Sequence, residues 1–289
     1  MSAARPILCC GEALIDLVPA GARGPELLPR PGGAALNCAI ALARLGQRAA
    51  LVAGISADAF GAQLIAALEA DGVETGLLIR SDLPSTLAAV HLTGGDAKYS
   101  FHDTETAGRQ ITPADLPKLP EAAALVFGGI SLARPPSAQS FLHIAETAQV
   151  SGPVLLDPNI RPALIDDPHT YRGTLHRAMQ AADILKISEE DLAWLGGPPQ
   201  VLLELGPRLV LLTRGAAGVT ALTRDTQTHM PAPVAEVVDT VGAGDTFTAG
   251  FLTARAEGAG LEAALSFACR AASLSVSRPG AAPPYRSEL

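Results

Sequence analysis

Basic side chains are scarce in this chain of 289 residues. It has 21 Lys and Arg against 29 Asp and Glu, which gives a formal net charge of −8. Sequence-independent binding to nucleic acids requires a basic face that displaces the counterions of phosphates. The composition therefore argues against a nucleic-acid partner, and any phosphate that the protein binds must be held by local geometry.

Long apolar segments and cysteines are also few. The longest uncharged stretches, such as 122–133, fall well short of the roughly 20 residues that cross a bilayer, so we expect no membrane span. The chain starts with one Arg and a short apolar run ending at Glu12, unlike a secretory signal, and we expect a cytoplasmic protein. The four cysteines have neither zinc-ligand spacing nor the density of a disulfide scaffold, so buried thiols are expected.

What is present is an alternation of short apolar runs with helical patterns. Continuous apolar strands between helices indicate a parallel sheet covered on both faces, and the length fits a single α/β domain over 1–289. The predicted strands are Ile7–Cys10, Leu51–Ala53, Leu125–Phe127, Val154–Leu156, Ile184–Ile187 and Leu209–Thr213. The predicted helices are Leu36–Leu45, Gly61–Ala70, Gln139–Ala148 and Ala263–Val276.

One region departs from this alternation. Thr86–Leu92 and Ala97–Phe101 have the pattern of paired strands, and the turn-rich residues 93–96 between them suit a hairpin. We therefore predict a β excursion from the main sheet.

The most informative segment is 238–247, Val-Asp-Thr-Val-Gly-Ala-Gly-Asp-Thr-Phe, which precedes an apolar helical pattern. The turn would present the amides of Gly242, Ala243 and Gly244 at a helix N-terminus, where unpaired N–H groups and the dipole favour an anion. Asp245 would lie beside that anion as a proton acceptor. The local alternative is a capped helix, which explains neither the three small residues nor the preceding Asp239 and Thr240.

A second segment near the start of the chain, 31–46, has the pattern glycine-glycine-x-x-x-Asn at Gly32, Gly33 and Asn37. Together the two segments resemble the signatures of the ribokinase-like carbohydrate kinases, and the resemblance runs from residues 11–16 to the tail at 278–283. It implies a three-layer α/β fold, with a mostly parallel sheet between helices and a small β-sheet lid. The lid would include parts of 16–31 and 85–102, close over the sugar and form the contact of a homodimer.

The resemblance also implies roles for individual residues. Asp245 would be the general base, the amides of Gly242 to Gly244 would form the anion hole, and ATP with Mg²⁺ would be the phosphoryl donor. The implied sugar-binding residues are Asp16, Gly32, Gly33, Asn37 and Arg161. The implied nucleotide-binding residues are Lys186, Ser188, Thr213, Gly215 and Gly218.

Local sequence alone leaves alternatives open for several of these residues. Asp16 would be a loop carboxylate, Asn37 a helix-start residue, and 213–218 a hairpin turn. Neither a P-loop nor the motif set of protein kinases occurs.

Two metal predictions accompany these roles. Many family members have Asn-x-x-Glu where this chain has Ser188 and Asp191, and we expect Asp191 to act on Mg²⁺ through water. A monovalent cation such as K⁺ is expected near Asp239.

The segment 157–162, Asp-Pro-Asn-Ile-Arg-Pro, resembles both the fructokinase and the 2-keto-3-deoxygluconate kinase branches, so Arg161 does not decide between their substrates. Together with the opening 12–19, it favours transfer to the 6-hydroxyl of D-fructose. The alternatives are 2-keto-3-deoxygluconate kinase, and ribokinase or a nucleoside kinase. A sugar-sensing protein without turnover is an alternative from another class, against which the retention of Asp245 and its turn argues.

Overall fold

Residues 5–20, 26–93 and 96–289 are described by the computed structural model, and within them fourteen strands form three sheets. The strands are β1 Ile7–Cys10, β2 Leu14–Pro19, β3 Leu27–Gly32, β4 Ala49–Val52, β5 Gly54–Ser56, β6 Ile79–Ser81, β7 Leu87–Thr93, β8 Asp96–His102, β9 Ala124–Gly128, β10 Val154–Asp157, β11 Ile184–Ser188, β12 Leu209–Thr213, β13 Val219–Leu222 and β14 Gln227–Met230. The helices are α1 Ala34–Arg44, α2 Ala59–Ala70, α3 Ser137–Thr147, α4 Pro168–Ala181, α5 Glu189–Leu195, α6 Ala243–Ala256 and α7 Leu261–Val276.

The largest sheet has the strand order β14-β13-β12-β11-β10-β9-β1-β4. Its pairs from β12 to β4 are parallel, whereas β12, β13 and β14 pair antiparallel. The buried strands are nearly continuous apolar runs because helices cover both faces of the sheet. The carboxyl ends of the parallel strands meet at one edge, where ligands of such sheets bind.

Alternate residues of β1 face two separate cores, as the two-residue period of a strand requires. Ile7 and Cys9 pack in a cluster with α1, α2, α6 and α7, whereas Leu8 and Cys10 pack in a cluster with α3 and α4. The molecule therefore has three layers, with the sheet in the middle.

Local sequence determines where several helices begin. Asp58 starts α2 by accepting from the Gly61 amide, and Asp167 starts α4 by accepting from the amides of residues 169 and 170. At the start of α6, Gly242 has φ 73°, a left-handed conformation that favours glycine. The Asp58 and Asp167 caps satisfy amides that a helix terminus otherwise leaves unpaired, whereas Gly242 supplies no side-chain cap to α6.

The second sheet has four strands in the order β3-β2-β7-β8. A small cluster joins it to the main body, in which Leu14 and Ala88 pack with Ile130 and Leu164. The predicted hairpin is present in this sheet as the antiparallel strands β7 and β8. The small sheet lies over the carboxyl edge of the large sheet. Residues 94–95 of the predicted turn, and residues 21–25 of the predicted lid, lie outside the described residues.

The predicted α/β class, the parallel sheet and the separate small sheet are confirmed. The predicted strand Ile7–Cys10 has the observed bounds, and the ends of the predicted helices differ from the observed ends by at most two residues. The short sheet of β5 and β6 was not predicted, nor was α4, which carries many polar residues. No helix in the described part of the chain is long and apolar enough to span a membrane.

Candidate active site

The carboxyl edge of the large sheet brings together residues that are far apart in sequence. Asp157 ends β10, Ser188 ends β11 and Thr213 ends β12. The N-terminus of α6 points at the same region, and α6 packs against α1, which carries Asn37. The sheet topology therefore places the two sequence signatures side by side.

Asp245 lies in the first turn of α6 and is 8% exposed. Its Oδ2 accepts a hydrogen bond of 2.9 Å from Asn37 Nδ2. Burial raises the pKa of Asp245 to about 7, with a further rise from Asp157, while the bond from Asn37 lowers it. A carboxyl group with a pKa near neutrality exchanges protons readily under physiological conditions, as a general base must.

A polar cavity of about 280 Å³ opens in front of Asp245, between the large and small sheets. Asp16 reaches it from β2, Arg161 from the loop after β10, and Tyr99 and Phe101 from β8. Burial raises the pKa of Asp16 to about 6, although the positive charge of Arg161 opposes the shift. Carboxylate, amide and guanidinium groups thus surround one cavity, a set that suits a polyhydroxylated molecule.

The two glycines of the first signature make room for this arrangement. A Cβ atom on Gly32 would lie 2.1 Å from Asp16 Oδ2. Gly33 has φ 104°, and a Cβ there would lie 2.6 Å from the carbonyl oxygen of Glu12. Gly33 lines the polar cavity, whereas Gly32 acts through the space that it leaves for the Asp16 carboxylate.

A second cavity, of about 380 Å³, lies on the other side of the glycine turn. Thr213, Gly215 and Gly218 line it, as the sequence predicts for the nucleotide side. Much of the remaining wall is apolar and comes from the segment 232–237 and from α7. Thr240 and Gly244 line both cavities, so the glycine turn is the boundary between them.

Lys186, predicted on the nucleotide side, lines the polar cavity in front of Asp245 instead. Its Nζ donates a 2.9 Å hydrogen bond to Asp157 Oδ2, and both side chains are 7% exposed. Burial lowers the pKa of Lys186, but the charge and hydrogen bond of Asp157, together with the charges of Asp191 and Asp245, leave the pKa raised, so the ammonium is retained. A buried positive charge therefore lies behind the glycine turn.

Neither Ser188 nor Asp191 lines the polar cavity or the cavity on the other side of the glycine turn. The two side chains form the capping box of α5, and the second carboxylate oxygen of Asp191 accepts a 2.7 Å bond from the Ile160 amide. This geometry does not support the predicted role of Asp191 toward Mg²⁺, because Oδ1 accepts from the loop after β10 and Oδ2 accepts from Ser188 in the cap of α5.

Asp239 also has partners within the chain. Its Oδ1 accepts from the Val241 amide and its Oδ2 from the Gly280 amide, at 2.9 and 2.8 Å. Asp239 thereby ties the glycine turn to the tail of the chain. A monovalent cation at this position stays a prediction.

Some residues of the site were not assigned from the sequence. Tyr99 and Phe101 stack with ring centroids 6.0 Å apart, and they reach the cavity only because the hairpin folds over it. Asn159 also lines the cavity, and its φ of 41° is unusual for a residue other than glycine. In the sequence, Asn159 could have been identified from its position in a Pro-bounded segment.

The Glu12 carboxylate accepts hydrogen bonds from the Ala34 amide and from Ser131, so it supports the loops around the site.

Two adjoining cavities, separated by a glycine turn at a helix N-terminus and lined by a buried carboxylate, define an α/β phosphotransferase. The chain belongs to the pfkB family of carbohydrate kinases, whose family model matches residues 4–288. The family and the carbohydrate kinase activity predicted from the sequence are therefore confirmed.

Individual relatives agree with this family. A fructokinase of Rhizobium leguminosarum bv. trifolii is 43% identical over 85% of this chain and 78% of its own length. The crystal structure of a fructokinase from Xylella fastidiosa with bound ATP has a TM-score of 0.90 at 28% identity, covering 98% of this chain and 96% of its own. An aminoimidazole riboside kinase from Salmonella enterica, complexed with aminoimidazole riboside and an ATP analog, has a TM-score of 0.87 at 27% identity, with 98% of both chains covered.

Proposed function

We propose that this carbohydrate kinase is a fructokinase that transfers the γ-phosphoryl group of ATP to the 6-hydroxyl of D-fructose. The observation that carries the proposal is the meeting of two cavities at the glycine turn beside Asp245. One cavity is polar and suits a sugar, and the other has the apolar wall that a nucleobase requires. The similarity to curated fructokinases supports the choice of sugar.

Asp245 is the general base in this proposal. Its carboxylate faces the polar cavity and accepts the proton of the attacking hydroxyl, so that the oxygen can attack the phosphorus. The amides at the start of α6 stabilise the charge of the transferring phosphoryl group, because the helix dipole and the unpaired N–H groups favour an anion there. Gly242 and Gly244 allow the close approach that this requires.

Asp16, Asn37 and Arg161 hold the sugar. Asp16 accepts bonds from hydroxyl groups, Asn37 supports both sugar and Asp245, and the planar fork of Arg161 binds oxygen atoms of the substrate. We also propose that the small sheet is a lid, in which Tyr99 and Phe101 exclude water from the site. The kinase domain and its lid then span the whole chain.

The second cavity binds the nucleotide. Thr213, Gly215 and Gly218 lie on its phosphate side, and Ala272 and Val276 of α7 contribute an apolar wall for the base. No cluster of three metal-ligating side chains occurs among the described residues. Mg²⁺ bound to the triphosphate would keep much of its hydration and would supply positive charge against the phosphates in this cavity.

We further propose that the protein is a cytoplasmic homodimer that associates through the small sheet. Its edge strand β3 exposes Leu27 and Leu28, at 42% and 41%. The mass in solution, measured by light scattering, tests the dimer, and replacing both leucines with Ser is expected to yield monomers. A dimer that survives this change contradicts the proposed contact.

The acceptor is tested by measuring ADP release from ATP and Mg²⁺ with fructose, 2-keto-3-deoxygluconate, ribose and adenosine. Fructose is expected to give the highest kcat/KM, and phosphorus NMR of the product is expected to show the phosphate on O6. The structural similarity to an aminoimidazole riboside kinase favours a riboside as the second candidate, so aminoimidazole riboside belongs in the panel. Preference for another acceptor would refute fructose, and no turnover with any acceptor would favour a sugar sensor.

A further inference from the structure

A buried ion pair adjoins Asp245, with its lysine on the wall of the polar cavity and its carboxylate outside that wall. Asp157 ends β10 and Lys186 lies in the adjacent strand β11, with 2.9 Å between Asp157 Oδ2 and Lys186 Nζ. Replacing a buried ion pair by apolar residues of similar volume is often neutral or stabilising, so such a pair is weak evidence for stability. Its place beside the glycine turn suggests that it serves the reaction instead.

Asp157, Asp245 and Thr248 all line a cavity of about 20 Å³. Asp157 Oδ1 and Thr248 Oγ1 are buried atoms that have no hydrogen-bond partner within the described part of the protein. The remaining wall is mostly apolar and includes Cys10 and Cys38. A volume of this size is enough for one water molecule, and Asp157 and Thr248 are lining residues whose buried oxygens lack a partner.

The charge of the pair also acts on Asp245. After burial, Asp157 is the largest cause that raises the pKa of Asp245, and Lys186 lowers it by less than Asp157 raises it. Lys186 Nζ lies 2.9 Å from where a Cβ of Gly244 would be, so the ammonium is directly behind the turn. The ionisable groups that face Asp245 from the packed elements are Glu12, Cys38, Asp157 and Lys186.

We infer that Asp157, held by Lys186, is a positioning residue that sets the protonation of Asp245 and, with Thr248, holds one internal water behind it. Asp157 does not line the polar cavity, so it acts through Asp245 and not on the sugar. The inference deepens the proposed function, because it rests on Asp245 as the general base.

The decisive variant is Asp157→Asn, which removes one negative charge and nearly keeps the shape. The low-pH limb of the kcat profile reports the base in the enzyme–substrate complex. We expect this limb to move to lower pH by about one unit, because the repulsion that raises the pKa of Asp245 is gone. Thr248→Val is the matched control, since it changes the same cavity without changing charge, and its limb is expected to stay within about 0.3 units.

A pKa read from the Asp245 side-chain carbon by NMR, assigned by its loss in Asp245→Asn, gives the same quantity without turnover. If Asp157→Asn does not fold, the double variant Asp157→Asn with Lys186→Met removes both charges. Its shift is expected in the same direction but smaller, because Asp157 outweighs Lys186. An unchanged pKa of Asp245 in these variants, whatever happens to kcat, would overturn the inference.

The internal water is tested by a high-resolution crystal structure of the unaltered protein. We expect one density peak within hydrogen-bond distance of Asp157 Oδ1 and Thr248 Oγ1, and an empty cavity would refute this part of the inference. A failure of the proposed function would give a different result from a failure of this inference. In that case Asp245→Asn would keep its turnover, while the NMR shift in Asp157→Asn would still be seen.

Discussion

Replacing the catalytic carboxyl group with an amide should stabilise this protein at neutral and alkaline pH. In Asp245→Asn the amide resembles the protonated acid and keeps an oxygen that can accept the bond from Asn37. In the unaltered protein, the folded-state pKa of Asp245 is about 7, against an ordinary value of 3.8 for an aspartate side chain. The folded state therefore binds a proton that the unfolded state has already released, and stability falls as pH rises from about 4 to about 7.

The size of the effect follows from this shift. Three pKa units correspond to about 4 kcal/mol, since each unit is about 1.4 kcal/mol. The variant should match the unaltered protein near pH 4, and its advantage in free energy of unfolding should grow by about 3 kcal/mol between pH 5 and pH 8. The other carboxyl groups titrate in both proteins, so the difference between the two isolates Asp245.

Urea denaturation of both proteins at pH 5, 6, 7 and 8 provides the measurement. A difference in unfolding free energy that does not change across this range would refute the reasoning. Asp245 would then be ionised throughout, and burial would not have raised its pKa.

Three further predictions concern the support of the site. Gly242→Ala is expected to lower kcat about 100-fold in a steady-state assay, because φ is 73° and the new Cβ would lie 2.7 Å from Ala281 Cβ, which shifts the turn. Asp103→Asn should cost about 3–5 kcal/mol in urea denaturation, because it leaves buried Arg109 without its ion-pair partner. Asp191→Ala should cost about 1–3 kcal/mol by losing its capping and amide bonds, while the Mg²⁺ concentration for half-maximal rate stays unchanged.

Matched variants control these tests. Gly258 also has a positive φ, 86°, but a Cβ there meets no atom within 4 Å, so Gly258→Ala should leave kcat unchanged. Asp166 pairs with Arg134 and is 72% exposed, so Asp166→Asn should cost less than about 1 kcal/mol. If a variant and its control had equal effects, the cause given for that variant, the Cβ contact at Gly242 or the buried ion pair of Asp103, would be refuted. A rise in the Mg²⁺ requirement of Asp191→Ala would restore that residue to the metal site.

The sequence predicted the parts of the fold that have a strong local pattern. Apolar runs such as Ile7–Cys10 and Leu209–Thr213 became buried strands, because a strand covered on both faces needs apolar side chains throughout. The polar helix α4 was missed because its burial depends on a few residues, among them Tyr171 and Leu175, in an otherwise polar segment. The formation of α4 therefore depends on tertiary packing and not on a strong local pattern.

The candidate site was predicted where function depends on a compact motif. The glycine turn and Asp245 lie together in sequence, and the structure keeps them together at one helix start. The contact between Lys186 and Asp157 could not be predicted from local sequence. The two residues are 29 positions apart, and only the register of β10 and β11 brings their side chains into contact. Tyr99 and Phe101 required the position of the small sheet over the cavity, which no local pattern contains.

The central claim is that Asp245 accepts the proton of the sugar hydroxyl during phosphoryl transfer. Its most direct test is the rate of fructose phosphorylation by Asp245→Asn and by the unaltered protein, at saturating ATP and Mg²⁺, with binding of both substrates checked by calorimetry. The account predicts a kcat lower by about 10²–10⁴-fold with fructose and ATP still bound. A variant that phosphorylates fructose at the rate of the unaltered protein would contradict it.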